Sequence, residues 1–530
     1  MGYSVIPQPA RINVKNDTCA FKVSSFMKIV GEENTLAARD ELTAFLNSVL
    51  EIFPSVGEQE IHFTLSESTD KKGSYSISVR KNRIELTSGS EEGLFYAVQT
   101  LKQLLFQCGE YLDETEIYDE PEFEVRGLML DCGRYYFNKK EVFRFIDLMA
   151  LHKLNEFHWH LSEDQGFRCQ LDCAPLLTEI GSVRSHTNFN NKEHSGYYTK
   201  ADIKEIVAYA HSKYIKVIPE IDTPGHAVSM ISAYPELSCF ERDLPVATSW
   251  GVKHDVLCVG KESTFEFMYR ILDELCEMFP DGIIHIGGDE VPETRWKICP
   301  HCQKRMKDEG LEDESGLHIY FLDRIADYLK AKGIEVRMWN DRIKDKTVSY
   351  DVCWQMWNGS MSDEDVISHM DKGRSFLLSN SVAYYLDLPY GLTSLKDTYC
   401  YEPLYYRLKN EQKSLVKGLE VCLWSEFVPD IKTADYTLLP RLGAFSENAW
   451  TNAADKDFDR FYGSMRHYYR FLYAHGYCPA PPKRAMPNKV GKFFSALYWE
   501  RRKLCWAGLQ NIIDNRRVMK KYGSSKVSSQ

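Results

Sequence analysis

The chain is 530 residues long, with 44% hydrophobic and 27% charged residues, and its formal charge is −11. That balance excludes a disordered chain, a collagen and a small disulfide-held scaffold. An acidic chain with dispersed basic residues also lacks the concentrated positive field that nucleic-acid binding requires.

The N-terminus, Met1-Gly2-Tyr3-Ser4-Val5-Ile6-Pro7, has neither a basic n-region nor an apolar h-region, so no secretory signal is expected. No apolar run approaches the length of a membrane span. The 15 cysteines are odd in number and scattered, which predicts reduced thiols and a cytoplasmic protein. In that setting the glycosylation patterns Asn16-Asp17-Thr18 and Asn358-Gly359-Ser360 read as chance. Residues 1–120 are expected to form a small α+β domain. Glu60–Leu65, Tyr75–Val79 and Ile84–Leu86 alternate with period two, and Lys81-Asn82-Arg83 makes a turn between the last two. Glu91–Gln107 follows with helical spacing, carrying Leu94, Ala97, Val98, Leu101 and Leu105 on one side.

From 121 to 455 the rhythm changes to short β-rich runs separated by amphipathic stretches. Eight runs stand out: 127–131, 156–160, 216–222, 283–288, 336–339, 352–357, 375–379 and 419–424. Helical patterns at 140–154, 202–214, 265–279 and 317–332 separate several of them. Eight β-then-α units in this length predict a parallel (β/α)8 TIM barrel, of fold class α/β. The helix between the last two strands is the least regular. Residues 456–530 are helical and aromatic in pattern, with Phe458, Phe461, Tyr462, Tyr468, Tyr469 and Phe471, and are expected to pack on the barrel. The polar tail 523–530 is expected to fray.

A TIM barrel carries its chemistry at the C-terminal ends of its strands. Polar residues cluster there: Asp131, then His158 and His160 followed by Glu163 and Asp164, then Asp222 and His226, Asp289-Glu290, Asn340-Asp341 and Ser425-Glu426. Arg126 is the exception, at a strand start. Asp289-Glu290 follows Gly287-Gly288, and neighbours on a regular strand point to opposite faces. Both carboxylates reach one substrate only if the glycines let the strand bend. Two carboxyls in one apolar site raise each other's pKa, which favours an acid. His158-Trp159-His160 places two imidazoles on one face, the spacing of an H-x-H metal pair, so a metal-dependent barrel hydrolase stands as an alternative. Cys299-Pro300-His301-Cys302 is the sole C-x-x-C, with no second pair at ribbon or finger spacing. It reads as a buried or loop thiol pair, with no metal. Aromatic residues make up 13% of the chain, and Trp339, Trp354, Trp357 and Trp424 fall at late strand ends, near Tyr384, Tyr385 and Asp387. They suggest an aromatic cup for an apolar group such as an acetamido methyl.

These residues resemble glycoside hydrolase family 20, the β-N-acetylhexosaminidases. The likeness rests on Arg126–Asp131, Lys153-Leu154-Asn155 through Trp159-His160-Leu161, Pro219–His226, His285–Glu290 and Leu423–Glu426, in family order over some 300 residues. It implies an exo-acting retaining enzyme that removes terminal β-linked GlcNAc or GalNAc by substrate-assisted catalysis, with no cofactor. A disaccharide-releasing, lacto-N-biosidase-type enzyme is the related alternative. By the resemblance, Glu290 is general acid and then base, Asp289 orients the acetamido N–H, and Tyr385 binds the acetamido oxygen. Trp339, Trp357 and Trp424 wall the acetyl group, with Trp354 a rival for Trp357. Arg126, Asp387 and Glu426 hold sugar hydroxyls. Glu163 stands where many members have Asp, and it and His226 are placed at the substrate. Asp222 and His160 give support. Partners are expected to be N-acetylhexosamine-terminated glycans, with no nucleic acid and no membrane. Sugar preference is expected to depend on the loops 188–195 and 390–406.

Overall fold

The computed structural model describes the chain except for residues 1–2, 16–20, 68–70, 188–190, 343, 345–350, 359–362, 507 and 523–530. Both glycosylation patterns, the start of the 188–195 loop and the polar tail therefore lie outside the described residues, in whole or in part.

The chain opens with a six-stranded mixed sheet. Its spatial order is Arg11–Lys15, Glu114–Asp119, Tyr75–Arg80, Arg83–Ser88, Gln59–Leu65 and Met27–Gly31. Alternation in these strands buries Ile61, Phe63, Ile77, Val79, Ile84 and Leu86 on one face. The helices Leu36–Ser48 and Glu91–Gln107 cover that face. The second begins at Ser90, whose side chain accepts from the Gly93 N–H. It is buried over Gly93–Leu105, lysine and glutamines included, because it packs on the sheet at one side and on neighbouring helices at the other.

The barrel strands are β1 (Val125–Asp131), β2 (Glu156–His160), β3 (Lys216–Glu220), β4 (Ile283–His285), β5 (Glu335–Trp339), β6 (Cys353–Met356), β7 (Phe376–Leu378) and β8 (Val416–Leu423). Each is parallel to the next, and β8 pairs with β1 to close the barrel. All eight runs read from the sequence are strands. Their continuous apolar character follows from burial on both faces. Helices Lys139–Leu151, Lys200–His211, Glu262–Met278 and Glu314–Lys330 lie close to the four helical patterns. Two begin in capping boxes, Asn138 with Glu141 and Thr199 with Asp202. Between β7 and β8 only short helical turns occur, at Ser381–Tyr384, Leu395–Tyr399, Leu404–Arg407 and Asn410–Lys413.

The C-terminal helix Met465–Ala474 buries Tyr468, Tyr469, Phe471 and Leu472. Phe471 also meets Phe45 and Phe106, so this helix seals the junction between the barrel and the N-terminal sheet domain. The helix Lys489–Trp506 departs from the expectation of full packing: Val490, Phe493, Phe494, Leu497 and Tyr498 are exposed. Among the described residues no helix is long and apolar enough to cross a membrane.

Candidate active site

The mouth of the barrel is built where β4 breaks. The strand is only three residues long because Gly287 and Gly288 turn left-handed, at φ +73° and +98°. A Cβ on Gly287 would lie 1.8 Å from Asp222 Oδ1, so no side chain fits there. Glu290 itself has φ +49°, a conformation that costs a non-glycine residue roughly 1 to 2 kcal/mol. The turn brings Asp289 and Glu290 to one side of the chain, as the glycine pair predicts.

Asp289 is buried and Glu290 half-exposed at the rim. His226 lies below them. Its Nε2 is 3.5 Å from Glu290 Oε2 and 3.9 Å from Asp289 Oδ2, and its Nδ1 is 3.1 Å from Glu163 Oε2. Burial alone would discharge His226, but Glu163, with Glu290 and Asp222, holds it well above the usual imidazole range. Burial pushes Asp289 up to about 8, helped by the charges of Asp341 and Glu290 and opposed by His226. Burial also raises Glu290, yet the His226 contact outweighs it and brings that carboxyl below its ordinary range. Between them the two carboxyls therefore hold one proton at neutral pH. Asp222, under Gly287, accepts from the Gly288 N–H at 3.2 Å, and burial raises it well above the carboxylate range. Asp341 accepts from the Glu290 N–H (3.1 Å) and from the Trp357 indole N–H (2.7 Å), fixing the left-handed turn from a second strand end.

Around these groups stands an aromatic cup separate from the main core. Met129, Trp339, Cys422 and Trp424 form its base, with Trp357 and Tyr385 packed against them. Trp357 and Tyr385 are stacked at 13° with centroids 6.3 Å apart, and Trp339 lies 5.7 Å from Trp424. Trp354 packs instead in the main core, beside His369. Of the two tryptophans three residues apart, Trp357 is the one at the mouth. Asp387 is half-buried, and burial pushes it up to about 8. Asp289 Oδ1 and Asp387 Oδ1 are buried atoms that meet no hydrogen-bond partner. Buried acceptors left open at one cup are poised for a donor from a ligand.

Arg126 is a correction. It stands at the N-terminal end of β1, five residues before the strand's end and so about 16 Å of strand away from the mouth at 3.3 Å per residue. Its Nε donates to Lys153 O, its Nη1 to Phe123 O and Glu124 O, and its Nη2 to Tyr96 OH. It clasps the two domains and cannot touch a sugar in the mouth. The arginine at the mouth is Arg134, three residues beyond the end of β1. Asp131 accepts from its N–H and its Nη1. Its Nη2 lies 2.6 Å from Glu163 Oε1, its Nε 3.7 Å from Glu426 Oε1, and its guanidinium 5.0 Å from the Trp424 ring. A cationic residue just past a strand-end Asp was the available signal.

Glu163 and His226, expected at the substrate, are instead buried braces. Glu163 is engaged by Arg134, His160, His226 and the Asp164 N–H. Beneath the cup, Glu220 is a hub that the strand pattern left without a role. Its oxygens meet His158 Nε2 (3.0 Å), His285 Nδ1 (2.8 Å), the Trp339 indole N–H (2.8 Å) and His160. Glu420 lies 2.9 Å from the other nitrogen of His158. The H-x-H pair is thus clamped by carboxylates below the Trp339 floor, with His158, Glu220 and His285 at most 1% exposed. That arrangement orients the floor and does not face a reacting bond.

Family models match the chain almost continuously from residue 2 to 453: "Glycosyl hydrolase family 20, catalytic domain" over residues 123–453 and "Glycosyl hydrolase family 20, domain 2" over 2–120. The chain is 35% identical over 491 residues to a beta-hexosaminidase of Porphyromonas gingivalis, a match covering 87% of this chain and 62% of that relative. It is 32% identical over 405 residues to the beta-hexosaminidase alpha subunit of Mus musculus, covering 74% and 73%. Among solved structures, an exo beta-N-acetylglucosaminidase from Vibrio harveyi in complex with N-acetylglucosamine superposes with a TM-score of 0.81 at 27% identity, covering 90% of this chain and 78% of the other. The beta-N-acetylhexosaminidase from Bacteroides fragilis gives 0.80 at 30%, covering 92% and 99%.

Proposed function

We propose that this chain, which belongs to glycosyl hydrolase family 20, is an exo-acting retaining β-N-acetylhexosaminidase that removes terminal β-linked GlcNAc or GalNAc. The observation that carries the reading is the pairing of a rim carboxylate, Glu290, with a buried, unpartnered acceptor, Asp289 Oδ1, above a closed aromatic cup. The relatives' names, β-hexosaminidase throughout, support it.

In this reading the substrate's acetamido methyl enters the cup of Trp339, Trp357 and Trp424. Its N–H donates to Asp289 and its carbonyl oxygen accepts from the Tyr385 hydroxyl. When substrate binds, the proton held on Asp289 passes to Glu290, which delivers it to the glycosidic oxygen as that bond breaks, and the acetamido oxygen attacks the anomeric carbon from the opposite face. The oxazolinium ion so formed is stabilised by Asp289 as carboxylate, since the shared proton has left through Glu290. Water then opens the ring with Glu290 as base, and two inversions give net retention. The nucleophile is tethered in the substrate, so proximity supplies a large share of the rate, and the protein needs one acid/base and one orienter rather than two separated carboxylates. Arg134, Asp387 and Glu426 hold hydroxyls at the non-reducing end, which suits an exo mode. None of the thirteen described cysteines is in a disulfide, which supports a reducing, cytoplasmic setting.

The test is turnover of an aryl β-N-acetylglucosaminide followed by proton NMR. The β-anomer of the free sugar is expected first, and initial release of the α-anomer would overturn the retaining scheme. Parallel assay of the aryl lacto-N-bioside separates monosaccharide from disaccharide release.

A further inference from the structure

The loops after β3 and β4 carry His226 and the Asp289-Glu290 pair, and just beyond the mouth they meet around four cysteines. Cys239 follows the turn Pro235–Leu237, Cys258 lies 19 residues later, and Cys299 and Cys302 open the helix Pro300–Glu309. All four are buried, and their sulfurs lie within 4.8 Å of one another. The Sγ–Sγ separations are 3.9 Å for Cys239 to Cys302 and 3.7 Å for Cys258 to both Cys299 and Cys302. A disulfide requires about 2.05 Å, so these are not bonded pairs. Four thiolates at the corners of a tetrahedron with a Zn–S bond of about 2.3 Å stand about 3.8 Å apart. The three separations match that edge length, and the remaining three are at most 4.8 Å.

We propose that Cys239, Cys258, Cys299 and Cys302 bind one structural Zn2+ in a closed tetrahedral four-cysteine site. Binding forms four Zn–S bonds and releases four thiol protons to solvent, with no change of oxidation state. The donor set is all sulfur, which selects a soft, tetrahedral d10 ion over the oxygen-seeking cations. No fourth position is open for a substrate, so the role is structural. The surrounding backbone is arranged for it. The Cys258 N–H donates to Leu237 O at 2.7 Å and the Leu257 N–H to Pro224 O at 2.9 Å, tying the 250s to the His226 loop. The Trp296 indole donates to Leu257 O at 2.9 Å, tying them to the loop after Glu290. Gly260 packs so closely on His301-Cys302 that a Cβ there would lie 2.1 Å from backbone. Four neutral thiols would gain little from such convergence, since S–H is a weak donor and sulfur a weak acceptor. Spacing along the sequence predicts a metal-free thiol pair; a four-cysteine site departs from that expectation because a second pair, Cys239 and Cys258, precedes the C-x-x-C and only the fold brings it in.

The inference is independent of the glycosidase reading, and its primary readout is metal content. The full chain, freed of any polyhistidine tag and purified under reducing conditions, is assayed by inductively coupled plasma mass spectrometry. About one zinc per chain is expected, released by a mercurial in one sample, and in a second the four cysteines should alkylate only after a chelator has removed the metal. Cells grown with Co2+ should yield protein with the thiolate charge-transfer and intense visible bands of tetrahedral cobalt. Cys258→Ser/Cys302→Ser should lower zinc content roughly tenfold or more and lower the Tm, whereas Cys400→Ser, at an exposed cysteine, should change neither. Wild-type protein that holds no zinc and takes up none overturns the proposal even if the double variant misfolds. So does a non-reduced mass showing disulfides among the four, or zinc retained in a folded double variant.

Discussion

The barrel buries charge at both ends, and the two ends are wired differently. At the base, Asp119 accepts from Tyr75 OH, Lys153 Nζ and the Trp450 indole at 2.5, 2.8 and 2.9 Å, and Arg126 spends its donors on three carbonyls and Tyr96 OH. Both hydrogen-bond networks are as buried as the mouth, but these base groups are partnered. At the mouth, Asp289 and Asp387 each keep an oxygen without a partner, and burial raises both carboxyls. Buried charge alone therefore does not mark a site, and a lone unpartnered atom, such as Glu447 Oε1 away from the mouth, does not either; what sets the mouth apart is two raised carboxyls with open oxygens beside one aromatic cup.

The largest effect expected of any single change is at Glu290. Glu290→Gln keeps the shape and removes the carboxyl that delivers the proton, so kcat on an aryl β-N-acetylglucosaminide should fall by about 10³-fold or more, with the Tm unchanged. A variant with wild-type kcat would end the assignment. Asp289→Asn should cost about 10²-fold in kcat, as loss of an electrostatic partner does. It also tests the shared proton. Asp289 keeps its proton up to about pH 8. Below that the pair holds the one proton that catalysis needs, and above it the proton is lost. Wild-type kcat/KM should therefore fall on the alkaline side of about pH 8. In Asp289→Asn the proton rests on Glu290 alone, which His226 holds below the ordinary range. The descending limb should move to lower pH, and a profile that stays in place would refute the sharing.

Two arginines sharpen the contrast between the ends. Arg134→Gln at the mouth should raise KM at least tenfold, as a lost charge-assisted contact of roughly 1.5 to 3 kcal/mol would, and should also lower the Tm, because it strands the buried carboxylates of Asp131 and Glu163. Arg126→Gln at the base should leave KM and kcat near wild type and lower stability by about 2 to 4 kcal/mol, because it strands buried carbonyls and the Tyr96 hydroxyl. The reversed pattern would mean that the ends had been confused.

That confusion is the one the sequence invites. The eight strands are legible because apolar runs end in polar residues, and the glycine pair before Asp289-Glu290 announces its bend. An arginine beside a strand, however, looks alike at either end until the strand's direction is used. Five residues of β1 lie between Arg126 and the mouth, and no side chain spans that distance. Glu220 was hidden for another reason. An inward acid in an apolar run has no pattern of its own, and its role depends on three histidines and a tryptophan from other strands. Convergence across strands is invisible to spacing along one, and the four cysteines repeat the lesson.

The smallest effect expected separates the two tryptophans three residues apart. Trp357 donates its indole N–H to Asp341, and Asp341 in turn holds the Glu290 N–H, so the ring both walls the cup and secures the strained turn under the acid. Trp357→Phe keeps most of the wall and deletes one hydrogen bond to a carboxylate, worth roughly 1.5 to 3 kcal/mol where it is fully felt. Because Asp341 retains the backbone contact, only part of that should reach the reaction, and kcat should fall about three- to tenfold with a small change in KM. Trp354→Phe removes a comparable volume from the main core and should appear in the Tm and not in kcat. If Trp354→Phe were the variant that slowed turnover, Trp357 would lose its place in the cup.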